Sequence, residues 1–339
     1  MKKPFELHTP SVFVVCSPFQ LLCAVAVIRQ LEIENYKFIL ALGKKNNRRM
    51  QMINLVKSFY INYEIECVSS IKVMGKRMSA LIPRKHGYER LFIGDYRNDI
   101  ELSYGSQYIC DGSDIVNFDD GAATIALLTN SALQQIKWKR KLFFKLVSIT
   151  RKVELFKNIL TIYDNLPNPH YNISYLRLNN ALLGNEHKNY VSHGIYIVGT
   201  DKSHYARILN EDSFKRGLLC LVRDIKAIYP NDPIIYIPHG RESNEYSADL
   251  SNEGCEFRRL DNIIEITLLE YGTIPKAVYG FTSSALYNLK KIFPSSEVVN
   301  ILYDIKDSQK DKLYSSYLSY IEISNYYERN GILLQRKTL

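Results

Sequence analysis

The sequence predicts an α/β protein made of two successive parallel-sheet domains. Three observations carry that expectation. The chain has 339 residues, long for one domain and ordinary for two at roughly 150 residues each. Short strands rich in Val, Ile, Phe and Tyr alternate with helical lengths in both halves, and strands separated by helices imply parallel βαβ units. A segment rich in Asn, Pro and His, Asp164-Asn165-Leu166-Pro167-Asn168-Pro169-His170, opens the join between the halves.

In the N-terminal half, Ser11–Cys16 (SVFVVC) reads as a strand leading into a helix from about Gln20 to Leu31. Lys37–Leu42 is a second strand, followed by a helix near Arg48–Tyr60, and Tyr63–Val68 is a third strand. Arg90–Asp95, Ser106–Cys110 and Ile115–Phe118 continue the series. In the C-terminal half, Gly194–Val198 is a strand and Asp212–Ala227 a helix, stopped by Tyr229-Pro230-Asn231-Asp232-Pro233. Ile234–Ile237 is a strand that runs straight into Pro238-His239-Gly240. Ala277–Gly280 precedes a helix from Ser283, Val298–Leu302 is a last strand, and Asp307 to Tyr327 forms a long terminal helix. Both sets are Rossmann-like. The expected domains are 1–185 and 186–306, with 307–339 a terminal helix and tail that packs back on the N-terminal domain.

Composition narrows the class. With 46% hydrophobic and 23% charged residues, the chain is neither disordered nor collagen-like. The six cysteines form no C-x-x-C pair and no Cys/His cluster of zinc spacing, so they read as reduced thiols of a cytoplasmic protein. Lys2 and Lys3 before the apolar stretch Ser11 to Ile28, with Ala24-Val25-Ala26, have the look of a secretory signal. Glu6, His8 and the interrupting Ser17-Pro18-Phe19-Gln20 favour strand, turn and helix instead. No G-x-G-x-x-G and no G-x-x-x-x-G-K-[ST] loop is present, which argues against redox cofactors and P-loop chemistry. The absence of a G-x-S-x-G elbow argues against a Ser/His/Asp hydrolase.

Ligands of open parallel sheets bind beyond the carboxyl ends of the strands, and four polar motifs fall there. Ser17-Pro18-Phe19-Gln20 follows the first strand and offers a hydroxyl, backbone N–H groups and an amide at a helix start. Asp119-Asp120-Gly121 follows Ile115–Phe118. Two adjacent carboxylates raise the pKa of at least one, which suits a general base, whereas a plain reading is an Asp-Gly turn capping a helix from Ala122. Pro238-His239-Gly240-Arg241-Glu242 places an imidazole and a guanidinium at a sheet mouth. Gly280-Phe281-Thr282-Ser283-Ser284 opens a helix with Thr282 or Ser283 as N-cap, a site suited to phosphate without a lysine.

In this order the motifs resemble those of bacterial sialyltransferases. Asp119-Asp120-Gly121 is similar to their D/E-D/E-G motif, Pro238-His239 to the start of their His-Pro motif, and Ser283-Ser284 to their serine pair. Ser17-Pro18-Phe19-Gln20-Leu21-Leu22 is similar to the start of glycosyltransferase family 52, the lipooligosaccharide sialyltransferases, to which the capsular polysialyltransferases are related. The resemblance implies a GT-B fold, two Rossmann-like domains facing a central cleft, with acceptor on the N-terminal side and CMP-sialic acid on the C-terminal side. It implies inverting transfer to a lipopolysaccharide, O-antigen or capsule hydroxyl, with no metal and no other cofactor. Asp119 would be the base, supported by Asp120, and His239 would meet the CMP phosphate as acid or donor. Ser283 and Ser284 would hold that phosphate, Glu265 the ribose, and Gly199-Thr200 would border the donor pocket. Ser17, Pro18 and Gln20 would line the N-terminal side of the cleft. One departure is plain: Gly240 stands where the family has Pro. A glycine frees the backbone there, so another CMP-linked nonulosonic sugar, or a different nucleotide sugar, is the alternative donor.

The net charge of +9, from 44 basic and 35 acidic residues, invites an anionic partner. Between Lys137 and Lys157 lie eight basic residues (Lys137, Lys139, Arg140, Lys141, Lys145, Arg151, Lys152 and Lys157) against Glu154 alone, interleaved with Trp138, Leu142, Phe143, Phe144 and other apolar residues. That is the composition of a basic amphipathic helix lying on an anionic inner-membrane surface, as well as of a core helix with a solvated basic face. No nucleic-acid-binding motif accompanies the charge. The expected partners are a CMP-sugar, a glycan or glycolipid acceptor, the membrane surface and a second copy in a homodimer.

Overall fold

A computed structural model describes residues 9–43, 47–59, 61, 63–68, 70–94, 99–122, 124–125, 128, 138–155, 157–166, 171–178, 190–200, 211–240, 242–304 and 310–338. The chain divides into two compact units, Met1–Gly184 and Asn185–Leu339.

The first unit follows the order β1 (Ser11–Val15), α1 (Pro18–Leu31), β2 (Tyr36–Leu42), α2 (Asn47–Ser58), β3 (Tyr63–Cys67), α3 (Ser70–Ala80), β4 (Tyr88–Ile93), α4 (Asp99–Gly105), β5 (Ile109–Phe118), α5 (Trp138–Arg151), β6 (Asn158–Thr161) and β7 (Asn172–Tyr175). Its sheet is parallel, in the order β3-β2-β1-β4-β5-β6-β7. All five residues of β1 are buried, because a central parallel strand is covered on both faces and so reads as an unbroken apolar run. On one face Phe13 stacks between Phe38 and Phe92 of the flanking strands, with ring centroids 5.0 and 4.3 Å away.

Sequence and structure part at β5. The stretches Ser106–Cys110 and Ile115–Phe118 were expected to be two strands, and they form one, with Ser106 in the turn after α4. Gly112 at φ 80° and a register shift against β4 interrupt the ladder, so the pattern looks broken where the strand only bulges. Helices α3 and α4 and strands β6 and β7 carry little periodicity of their own and were not expected.

The second unit contains β8 (Val191–Ser192), β9 (Ile195–Val198), α6 (Glu211–Ile228), β10 (Ile234–Ile237), α7 (Ser247–Asn252), β11 (Cys255–Phe257), α8 (Ile264–Glu270), β12 (Thr273–Ile274), β13 (Ala277–Gly280), α9 (Ser284–Ile292), β14 (Glu297–Tyr303), α10 (Lys310–Arg329) and β15 (Leu333–Lys337). Its main sheet is parallel in the order β11-β10-β9-β13-β14-β15, and β8 and β12 form a small pair. The terminal segment differs from expectation. The strand at 297–303 is followed by β15, which pairs with it, and the described residues of α10 pack within this unit. The Tyr327 hydroxyl donates to the Ser283 carbonyl at 2.9 Å, and Tyr317 donates to Asp304 at 3.2 Å. Gly331, at φ 79°, lets the chain reverse after the helix and re-enter the sheet edge.

In each sheet the first strand is central and the winding reverses beside it, between β1 and β4 in one and between β9 and β13 in the other. Those reversals open crevices at the carboxyl ends of the strands. No described helix is long and apolar enough to cross a membrane.

One charged residue locks the first unit. Arg151, counted above among the basic residues of 137–157, is fully buried rather than on a solvated face. Its guanidinium donates to Asp111 Oδ1 at 2.6 Å and to the carbonyls of Ala80, Ser106 and Ile109 at 3.3, 2.7 and 2.6 Å. It thus ties α5 to the ends of α3 and α4 and to the start of β5. Removing it strands three buried carbonyls and a carboxylate. Arg151→Met should cost about 3–5 kcal/mol in denaturant unfolding. Arg151→Lys should recover only part, because an ammonium lacks the planar fork that reaches several acceptors at once.

Candidate active site

The crevice of the first sheet is built on α1. Ser17 caps the helix, its hydroxyl accepting from the Gln20 N–H at 3.1 Å, and Pro18 occupies the first turn, where no donor is needed. That cap fixes Gln20, which is buried at the switch between β1 and β4. Its Oε1 accepts the Cys16 N–H at 2.6 Å, and its Nε2 donates to Glu101 Oε1 and to Asp120 Oδ1, both at 2.8 Å. Glu101, on α4, accepts the Gly94 N–H at 2.5 Å through its other oxygen. A Cβ at position 94 would sit 2.5–2.7 Å from the Gln20 side chain, so a larger residue there would displace that amide. One amide therefore bridges two carboxylates and the end of β1.

Asp119 lies at the end of β5 and is fully buried. Its Oδ1 accepts the Thr161 hydroxyl at 2.8 Å and its Oδ2 the Ile162 N–H at 2.7 Å, both at the end of β6. Burial pushes its carboxyl up to about 7, against these bonds and the Thr124 hydroxyl, which pull it down. Repulsion from Asp120, the cause expected from the sequence, is the smallest contributor. Asp120 is partly exposed and held by Gln20. The expected helix from Ala122 opens with a turn, in which Thr124 and Ile125 donate to the carbonyls of Gly121 and Ala122, and Thr124, Ile125 and Leu128 are helical.

In the second sheet, β9, β10 and β13 end side by side, with Val198 opposite both Ile237 and Gly280. Gly199 and Thr200, Pro238 and His239, and Thr282 to Ser284 therefore share one edge. The Gly199 N–H donates to the Ile237 carbonyl at 2.8 Å. Partly exposed His239 is positioned by Glu242, whose Oε2 accepts the His239 N–H at 2.9 Å and whose Oε1 accepts the Tyr236 hydroxyl at 2.6 Å. A Cβ at position 199 would meet Glu242 at 2.5 Å and Tyr236 at 2.7 Å, so a glycine is required. Burial pushes the Glu242 carboxyl up to about 7. Arg241 lies outside the described residues.

Ser283 is the N-cap of α9, and its hydroxyl accepts from the Ala285 N–H at 3.3 Å. Ser284 is a partly exposed hydroxyl at the helix start. Before them Thr282 holds φ 53°, an outlier for a β-branched residue, and such strain gathers at ligand sites. Asn300 on β14 accepts its N–H at 2.7 Å, while its buried hydroxyl finds no partner among the described residues. Glu265 is set on α8, against α9. It is buried and accepts from Asn288 of α9 at 2.6 Å, one turn beyond Ser284, and burial raises its pKa.

Glu101, Gly94 and Thr161 were missed as site residues, Thr282 was noted only as a candidate N-cap beside Ser283, and Glu242 was noted without a role. Asp99-Ile100-Glu101 looks like an ordinary acidic first turn of a helix, and no local signal marks Thr161. The Gly199–Glu242 contact, 43 positions apart in the numbering, exists only once β9 and β10 pair.

No protein-family model matches the chain, and no curated protein sequence matches it. Solved structures do. The α/β-galactoside α-2,3-sialyltransferase of Photobacterium phosphoreum is 14% identical over 97% of this chain and 99% of its own, with a TM-score of 0.51. The 2,6-sialyltransferase of Photobacterium sp. JT-ISH-224, in complex with CMP and lactose, is 12% identical over 96% of this chain and 78% of its own, at 0.51. A putative UDP-N-acetylglucosamine 2-epimerase of Listeria monocytogenes is 9% identical over 95% and 89%, at 0.54. The chain has the GT-B fold. Identities this low speak for fold alone, and the fold is shared by enzymes of different chemistry.

Replacing Gln20 by Leu removes donors from two carboxylates and the acceptor of the Cys16 N–H. Thermal or denaturant unfolding should show a loss of about 2–4 kcal/mol, the summed cost of stranded buried partners. Glu242 supplies a pH signature. Its folded pKa of about 7 exceeds the unfolded value of 4.5, so the folded state binds the extra proton between them. The resulting stability is complete below pH 4.5 and is lost as pH rises through 7. Glu242→Gln should therefore shrink the fall in melting temperature between pH 5 and pH 8, leaving the part due to Asp119.

Proposed function

We propose that the chain is an inverting, metal-independent sialyltransferase that moves sialic acid from CMP-sialic acid to a hydroxyl of a bacterial surface glycan. The observation that carries this reading is Asp119, a carboxyl at a strand end whose proton affinity is tuned to neutrality by burial. It sits inside the same Asp-Asp-Gly motif that, with Pro238-His239 and Ser283-Ser284, resembles the sialyltransferases. The likeness in fold to two such enzymes, one of them holding CMP and lactose, supports bringing a CMP-sugar and a glycan acceptor to this chain.

In the proposed reaction Asp119 takes the proton of the acceptor hydroxyl as its oxygen bonds to the anomeric carbon. The bond from that carbon to the CMP phosphate breaks with inversion, through an oxocarbenium-like transition state. His239 donates a proton or hydrogen bond to the departing phosphate, and the α9 N-terminus with Ser283 and Ser284 stabilises its charge. Glu265 holds the ribose, Gly199 and Thr200 border the nucleotide, and Asp120 supports the base. Ser17, Pro18 and Gln20 shape the acceptor side. The acceptor is lipid-linked, the enzyme works in the cytoplasm against the inner membrane through segment 137–157, and it acts as a homodimer.

Two observations favour variants of this scheme. Asp120 is the more exposed of the two carboxylates, which favours it as the base. Gly240 and the likeness to an epimerase favour a different donor, another CMP-nonulosonic acid or another nucleotide sugar. Two experiments separate them. With CMP-sialic acid, Asp119→Asn should lower turnover about 10²–10⁴-fold and abolish the acid limb of the pH profile near 7, and His239→Ala should lower kcat more than it raises KM. If Asp119→Asn stays active and Asp120→Asn does not, the base is Asp120. Stabilisation by UDP but not CMP in a thermal-shift series would remove CMP-sugars as donors.

A further inference from the structure

Two helices on one face of the first sheet turn apolar ridges outward. On α5, Phe144, Val147 and Arg151 point inward, whereas Trp138, Leu142, Leu146 and Ile149 recur along the opposite face. Trp138 is 68% exposed and Ile149 64%. On α3, Val73 and Ala80 are buried, while Met74, Met78 and Ile82 (just past the helix end) recur every four residues, with Met74 69% and Met78 66% exposed. The inward side chains of both helices join one apolar cluster with Val12, Ile39, Leu91 and Ile115 of the sheet, so α3 and α5 lie in one layer. Asp99 of α4 ties them together, pairing with Arg77 of α3 and, at 3.5 Å, with Arg140 of α5. Arg151 of α5 also donates to the Ala80 carbonyl at the end of α3 at 3.3 Å.

The charge of this layer is one-sided. Ser70–Lys85 holds five basic residues and no acidic one, and so does Trp138–Arg151. The rest of the chain holds the remaining 34 basic residues against all 35 acidic ones, so these two segments carry the whole net positive charge. Arg151 is sealed within on Asp111, and Lys76, Arg77 and Arg140 pair with Glu66 and Asp99, but exposed apolar ridges on two helices that themselves carry cations and no anion match the interface of an anionic bilayer. Flexible methionines suit an irregular lipid boundary. A second copy of the same face would instead bring like charges together.

We propose that α3 and α5 form a single docking platform for an anionic lipid bilayer, with the methionine ridge of α3 seated in the lipid beside the Trp138 ridge of α5. This rests on the reading of 137–157 as a membrane contact and adds the second helix. It does not depend on which sugar is transferred.

The test is co-sedimentation of the full chain with vesicles of phosphatidylglycerol and phosphatidylethanolamine in equal parts, against vesicles of phosphatidylcholine. One variant carries Met74→Gln, Met78→Gln and Ile82→Gln, and another Trp138→Ser, Leu142→Ser and Ile149→Ser. These side chains are exposed, so unchanged melting temperatures will confirm folding. Each variant should bind the anionic vesicles about tenfold more weakly or worse, since each loses an inserted apolar ridge. Wild-type binding should fall with added salt. Full binding by the α3 variant with loss in the α5 variant would leave α5 acting alone and overturn the platform. Full binding by the α5 variant would overturn the membrane reading beneath it. Equal binding to phosphatidylcholine would overturn the role of charge. Loss of a dimer in sedimentation velocity, with vesicle binding unchanged, would assign the α3 ridge to a second copy. Transfer to a soluble acceptor is a separate readout that neither variant should alter, so its failure concerns only the proposed activity.

Discussion

Parallel pairing is the constraint on which everything else depends. A parallel strand cannot return by a hairpin, so the chain must cross over one face of the sheet, usually by way of a helix. With the first strand in the middle, the chain winds outward one way and then the other, as in β3-β2-β1-β4-β5 and β11-β10-β9-β13-β14. The helices on either side of the reversal diverge and leave the carboxyl strand ends uncovered. Asp119, His239, Ser283 and Ser284 stand at or just after such ends, and Glu101 and Glu265 reach in from helices. The same crossovers bury β1, β9, β10 and β13 on both faces.

Within each crevice the polar groups are held by partners that solvent cannot replace. Gln20 accepts one backbone N–H and donates to two carboxylates, so it spends its full amide on placing Glu101 and Asp120. Asp119 keeps three donors and still has its pKa raised, because desolvation outweighs hydrogen bonding when a carboxylate lies wholly inside the protein. Glu242 repeats this balance in the second unit, where it fixes the backbone of His239. The outer face of the first unit follows the opposite rule. There the apolar side chains of α3 and α5 remain in contact with solvent while the charged Arg151 is sealed within.

Much of this was legible. The apolar runs at 11–15, 36–42, 234–237 and 277–280 announced buried parallel strands, and Ser17 and Ser283 stood where helix caps belong. Asp119, His239 and Ser283 were placed at or just after strand ends, as the structure has them, because strand ends can be read from hydrophobic pattern. Other features were not legible. Helix α3 has an exposed apolar ridge, which blunts the polar/apolar contrast by which amphipathic helices are recognised. Strand β5 is interrupted by Gly112, and the edge strands β7 and β15 are largely polar. The basic segment 137–157 was read as one charged face, although Arg151 within it is fully buried.

By itself, then, the sequence determined the alternation of strand and helix, the division into two sheets and the order of the strand-end motifs. These depend on side-chain pattern and local capping, which are properties of neighbouring residues. Only the tertiary structure decided which carboxylates are desolvated, that Gln20 bridges Glu101 to Asp120 across 81 and 100 positions of chain, and that α3 shares a layer with α5. A pKa shift requires exclusion of water from all sides, and a common surface requires two helices on one sheet face. Both are set by packing between segments whose separation in sequence leaves no local trace.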